Sequence, residues 1–172
     1  MLTMNTDQLD FILKEILNAN KVNFLGVFAQ DQVPLVDSSF SFPLCFVSNT
    51  HPSSKPGEHW VAFYYLSPSS AEFFDSYGLH PSLYGFSLTP MHMNHRSLQS
   101  LSSNVCGQYC IFYLYHRSRG KTLAQIVSSF SSHDQAWNDN SVARFVCKHF
   151  PHHHTNQSHS FQSCLKRLLC NK

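Results

Sequence analysis

A thiol, an imidazole, a carboxylate and a primary amide are the parts needed to cut an acyl bond. This chain carries them in the order His59, Asp75, Gln99 and Cys106. Cys106 opens the run Cys106-Gly-Gln-Tyr-Cys110, which continues into Ile-Phe-Tyr-Leu-Tyr and reads as an apolar helix. A thiol in the first turn of a helix faces the positive end of the helix dipole and unpaired backbone N–H groups. Both favour the reactive thiolate. Ser102, Ser103 or Asn104 is expected to cap that helix, and Gly107, lacking a side chain, to let a substrate carbonyl approach. His59 can take the thiol proton and return it to a leaving amine. Asp75 can hold the imidazole in one tautomer and stabilise its charged form. The Gln99 amide, with the Cys106 backbone N–H, can form an oxyanion hole, where losing one donor costs about 2.7–4 kcal/mol. Trp60 is expected to shield the site and to meet the imidazolium as a cation–π partner.

Each residue also has a plainer reading. A His-Trp pair at a strand start is commonly packing, an Asp before Ser-Tyr-Gly a turn residue, and a Gln in a polar loop solvated. A Cys on an apolar helix is usually inert, which is the reading for Cys110, and for Cys45 inside an apolar strand. Coincidence gives no reason for all four residues to occur in one order at these spacings.

The elements that must position them follow from the apolar pattern. Leu9, Ile12, Leu13, Ile16 and Leu17 make one face of a helix over about 8–18, capped by Thr6 or Asp7. Segments 24–28 and 44–47 read as short buried strands, and 49–58 as a loop. Segments 60–65 and 71–76, separated by the turn Pro68-Ser-Ser70, read as a hairpin that brings His59 and Asp75 to facing ends. Residues 79–104 read as a long loop with a helix inside it. Helices are expected at about 106–116, 121–131 and 139–149, with a last short one carrying Phe161, Leu165, Leu168 and Leu169. The His-rich polar segment 151–160 is expected to be mobile. The whole, 1–172, reads as a single α+β domain.

With 172 residues, 42% apolar and including 15 Phe, the chain can bury a real core and is not a disordered one. A formal net charge of +2 does not force polyanion binding. No apolar run approaches the roughly 20 residues of a membrane span, and residues 1–20 lack the basic start of a signal peptide. The expectation is an intracellular protein with six reduced cysteines.

Several stretches resemble the adenovirus-type cysteine proteases, the adenain family, related to the proteases of ubiquitin-like proteins. Gly57-Glu-His59-Trp60-Val-Ala-Phe63 resembles that family's Gly-x-His-Trp-x-Ala-Phe. Phe74-Asp75-Ser-Tyr-Gly78 resembles its Phe-acid-Pro-Phe-Gly, and Gln99 precedes Cys106-Gly107 at the family's spacing. Phe24-Leu-Gly-Val-Phe28 and Leu44-Cys-Phe-Val-Ser-Asn-Thr50 are similar to its early strands. The likeness runs over about residues 6–116 and weakens over about 120–150. It implies a circularly permuted papain-like fold, a central mixed sheet flanked by helices with the nucleophile at a helix N-terminus. It also implies a catalytic set of Cys106, His59, Asp75 and Gln99, with Asp75 where adenoviruses commonly carry Glu.

The activity implied is cleavage of viral structural precursors during particle maturation, in the host nucleus and the virion, by a monomer without membrane attachment. The chemistry needs no cofactor. The resemblance implies a disulfide-tethered peptide activator and DNA. Phe86-Ser-Leu88-Thr-Pro90 holds no cysteine, so the expectation is either basal activity without a peptide or reversible activation by a peptide bound without that disulfide, and the small charge gives DNA little support. Two other functions compete. One is deconjugation of ubiquitin or a ubiquitin-like protein by the same residues. The other is a metal-binding or interaction module built from Cys147, His149, His152, His153, His154, His159 and Cys164, whose spacing fits no closed zinc site.

Overall fold

The computed structural model describes residues 3–87 and 92–150. Helix α1 (Thr6–Asn18) is followed by strands β1 (Asn23–Phe28), β2 (Leu44–Asn49), β3 (Trp60–Ser67) and β4 (Ser70–Phe74), and by the short β5 (His92–Met93). Helices α2 (Cys106–Arg117), α3 (Leu123–Ser128) and α4 (Gln135–His149) complete the order, with 3₁₀ turns at Gln30–Gln32 and Pro81–Tyr84. The five strands form one mixed sheet in the order β1-β2-β3-β4-β5. β1 pairs with β2 in parallel, β2 with β3 and β3 with β4 antiparallel, and β4 with β5 in parallel. This is the α+β architecture expected, with the Cys106 helix packed on the sheet.

Both faces of the sheet are buried. Cys45, Val47, Ala62, Tyr64 and Phe74 face α1 and α2, where Leu9, Leu13, Tyr109, Tyr113 and Leu114 close the main core. Leu44, Phe46, Val61, Phe63, Tyr65 and Phe73 form a second core, covered by the segments after β1 and β4 through Val33, Phe40, Phe42 and Phe86. Strands apolar on both faces read as continuous runs, which is why 44–47 and 60–65 show so little alternation.

The boundaries differ from the sequence expectation for local reasons. α1 begins at Thr6 because Asn5, not Thr6 or Asp7, is its cap. Its side chain accepts from the Gln8 N–H while Gln8 reaches back to Asn5, a capping box. α3 is shorter than expected, beginning at Leu123 after its cap Thr122, which makes the same box with Gln125. α4 starts earlier, at Gln135, since Asp134 accepts from the Trp137 N–H. Among the described residues of 79–104, the expected helix is the 3₁₀ turn Pro81–Tyr84, and His92–Met93 contributes β5. The expected helix near 161–169 and the segment 151–160 lie outside the described residues.

No side chain caps α2. Its N-cap is Val105, so the expectation placed on Ser102, Ser103 and Asn104 does not hold. Gly107 serves packing rather than substrate access. A Cβ there would lie 3.1 Å from the Met4 Cβ and 3.3 Å from Leu9 Cδ2, so the absent side chain lets α1 approach α2 directly behind Cys106. Gly78 is required twice over. Its φ is +71°, and a Cβ would sit 2.7 Å from the backbone carbon of Arg96. Gly78→Ala is therefore expected to destabilise the fold by about 2 kcal/mol or more, combining left-handed strain with a clash against backbone. Urea unfolding of the variant checks this, and a change below about 0.5 kcal/mol would contradict it.

Candidate active site

The site lies where β3 begins, β4 ends and α2 begins. The β3–β4 register pairs Ala62 with Phe74 and Tyr64 with Glu72. Carried past the strand ends, it sets His59 across from Tyr77, with Asp75 two residues before it. His59 is 6% exposed and Asp75 fully buried. His59 Nε2 lies 2.6 Å from Asp75 Oδ1. Cys106 is close enough to the same imidazole to help raise its pKa. With Nε2 on the carboxylate, Nδ1 is the nitrogen left for the thiol. Burial pushes the His59 pKa down, but the hydrogen bond and charge of Asp75, joined by Cys106, outweigh it and raise it to about 9. The imidazole therefore stands as an imidazolium at neutral pH, next to sulfur. Cys110, one turn further along α2, is fully enclosed in the core, and burial pushes its thiol well above the ordinary range. Burial likewise raises Cys45.

Asp75 is held from every side. Oδ1 also accepts from the Tyr77 N–H at 3.0 Å, and Oδ2 from the Leu79 N–H and the Tyr84 hydroxyl, both at 2.9 Å. Its backbone is clamped by Asn94, which accepts from the Asp75 N–H at 3.0 Å and donates to its carbonyl. These contacts fix the carboxylate before any substrate arrives.

Gln99 is fully buried beside this loop. Its backbone N–H and that of Leu98 both donate to the Ser76 carbonyl. The Ser76 hydroxyl donates to Gln99 Oε1 at 2.7 Å. Gln99 Nε2 donates to the Ser103 carbonyl at 2.8 Å and makes a long 3.4 Å contact with the Tyr77 hydroxyl. α4 braces the same segment: Asn138 donates to the Leu98 carbonyl, and Asp139 accepts from the Ser100 N–H and the Tyr109 hydroxyl. One amide N–H of Gln99 is thus spent on structure, and the weakly engaged one remains for a ligand oxygen.

The ring against His59 is not the one expected. Tyr77 stacks on the imidazole with centroids 4.5 Å apart and planes at 26°. Trp60 instead donates its indole N–H to the Met4 carbonyl at 3.2 Å and forms one wall of a cleft. That cleft, about 720 Å³, runs from Cys106 and Asn104 past Trp60 to the end of β1 and the loop carrying His51, Lys55 and Gly57. Sequence reasoning missed Ser76, Tyr77, Tyr84 and Asn94. Only Tyr77 had a usable signal, its place across the hairpin from His59.

Of the residues considered for a metal, Cys147 is a partly buried cysteine outside any disulfide and the His149 ring meets Phe145 at 4.3 Å. The other five lie outside the described residues. Among the described residues no three His, Cys, Asp or Glu side chains gather as a metal site, and no helix is long and apolar enough to cross a membrane.

The mixed sheet with flanking helices is the papain-like cysteine-protease fold. The crystal structure of the ASFV pS273R protease matches it with a TM-score of 0.52 at 17% identity, over 79% of this chain and 65% of that one. The selenomethionine form of that protease gives 0.47 at 16%, with the same coverage. This chain thus spans 65% of the length of the protease it matches. No family model matches the sequence, and no curated protein does.

Proposed function

We propose that this chain is a cysteine endopeptidase with Cys106 as nucleophile, His59 as acid and base, Asp75 as orienting carboxylate and Gln99 as oxyanion donor. The observation that carries the reading is the buried pair Asp75–His59, with Nε2 2.6 Å from the carboxylate, and Cys106 at the start of α2 close enough to the same ring to raise its pKa. The likeness to the fold of a viral protease supports it.

The chemistry follows from the geometry. A peptide in the cleft presents its carbonyl carbon to the Cys106 sulfur beside the imidazolium. Attack forms the S–C bond and moves the carbonyl electron pair onto oxygen. The oxyanion meets the Cys106 backbone N–H at the uncapped start of α2 and the weakly engaged N–H of Gln99. His59 then gives its proton to the leaving amine, and as a neutral base draws a proton from the water that hydrolyses the thioester. Asp75 keeps Nε2–H turned toward itself, so Nδ1 carries the transferred proton.

The substrates in this reading are viral structural precursors, and any peptide activator binds reversibly, without a disulfide. A peptide library presented with and without DNA tests the activity and separates precursor-type cleavage from removal of ubiquitin-like proteins. Within it, Gln99→Ala is expected to lower kcat by about 10²–10³ with little change in KM, since the oxyanion develops on the way to the tetrahedral intermediate and is absent from the bound substrate. An effect confined to KM would reduce Gln99 to ordinary substrate binding.

A further inference from the structure

We infer that the Tyr77 hydroxyl is a further oxyanion donor, completing with Gln99 and the Cys106 N–H the pocket that receives the substrate carbonyl oxygen. The inference rests on the peptidase reading and adds a residue to it. Three placements carry it. The ring stacks on His59 with centroids 4.5 Å apart and planes at 26°, which places it beside the reacting groups. The hydroxyl oxygen lies 3.4 Å from Gln99 Nε2, so an oxygen seated about 2.9 Å from that amide is within reach of the phenol. The phenol oxygen accepts from Gln99, and its own proton has no acceptor among the described residues.

The phenol is also suited to donating. Burial, and then the neighbouring Cys106 and Asp75, raise its pKa, so the proton stays on oxygen at any working pH. Its backbone is fixed by the same carboxylate that orients the base, through the Tyr77 N–H on Asp75 Oδ1 at 3.0 Å. Ser76, its neighbour, holds the other end of the Gln99 amide at 2.7 Å. Ser76-Tyr77 stands where the resembling proteases carry Pro-Phe. Both changes add a hydroxyl, and both hydroxyls face Gln99.

When the Cys106 sulfur bonds to the carbonyl carbon, the C=O electron pair moves to oxygen. The Tyr77 O–H and the Gln99 N–H both point to it. When the C=O bond re-forms, the leaving group departs and Tyr77 keeps its proton. It is a hydrogen-bond donor and not an acid.

Tyr77→Phe keeps the ring and removes the donor, and two reagents separate the possible roles. Acylation by p-nitrophenyl acetate passes through an oxyanion, whereas alkylation by iodoacetamide displaces iodide without one. In Tyr77→Phe, thioester formation at Cys106, located by mass spectrometry, is expected to slow by about tenfold or more. Alkylation of Cys106 should stay within about twofold of wild type, because the His59 pair is untouched. Equal slowing of both reactions would show that Tyr77 acts through the His59–Cys106 charge state. No slowing of either would leave it a stacking wall. Both results overturn the inference while the peptidase reading stands. A wild-type Cys106 that reacts no faster than in His59→Ala would overturn the peptidase reading, and this inference with it.

Discussion

Cys106→Ala is expected to lower peptide cleavage by about 10⁴-fold or more, to background, and to end labelling by a thiol-directed electrophile. The fold should survive, because the change removes one sulfur at the mouth of a cleft and leaves the His59–Asp75 bond in place. Cys110→Ala should keep most activity, since that thiol is sealed in the core and held protonated by burial. Steady-state rates for the two variants, with a circular-dichroism check of folding, separate the candidates. Retained activity in Cys106→Ala would sink the assignment.

Asp75→Asn is the second large effect, although asparagine has nearly the same shape. The two carboxylate oxygens of Asp75 accept from four donors: His59 Nε2 and the Tyr77 N–H on one, the Leu79 N–H and the Tyr84 hydroxyl on the other. An amide has only one oxygen. Either orientation sets its NH₂ against a fixed donor, a backbone N–H or the imidazole itself. Activity is therefore expected to fall by about 10² or more.

The pH profile should change with it. The His59 pKa is raised from its ordinary value near 6.5 to about 9. Stability from the imidazolium is fully present below about pH 6.5 and is lost as pH rises through about 9. Activity needing the imidazolium has its alkaline limb in the same region. Without the carboxylate, burial still pushes the pKa down, so the limb in Asp75→Asn should move to lower pH by about one unit or more. A pH series of kcat/KM on both proteins reads this directly. An unmoved limb would mean that Asp75 does not set the charge on His59.

Much of this site was legible because its parts are local or periodic. The hairpin spans 16 residues between His59 and Asp75, and its two apolar runs define the pairing that aligns them. The Cys106 helix announces itself by its apolar length. What could not be read was support arriving across long gaps of polar loop. Asn94 clamps Asp75 from 19 residues away, and Asp139 reaches Ser100 from 39. An Asn or Asp in a loop looks the same whether it faces water or a buried backbone group. The cation–π role given to Trp60 failed differently, although the ring does wall the cleft that reaches Cys106. Its adjacency to His59 in sequence places it on the opposite face of the strand, where the Met4 carbonyl takes its N–H. The neighbour across the hairpin, Tyr77, was the one to consider.

Glu72 sits on the helix-facing side of β4, three residues before Asp75. Its carboxylate takes a two-pronged bond from Arg117 at 2.8 and 3.0 Å and the Tyr113 hydroxyl at 2.8 Å. The Arg117 guanidinium lies 4.5 Å over the Tyr64 ring. Because both faces of the sheet are apolar, hydrophobicity alone barely distinguishes the true strand alignment from one displaced by a single position. Glu72 does distinguish them. A one-position slip would swing its charge to the other face, among Phe63, Phe73 and Phe86, with no cation to meet it. The buried carboxylate thus works as a proofreading pin for the hairpin: only the alignment that seats Glu72 on Arg117 also brings His59 and Asp75 within bonding distance.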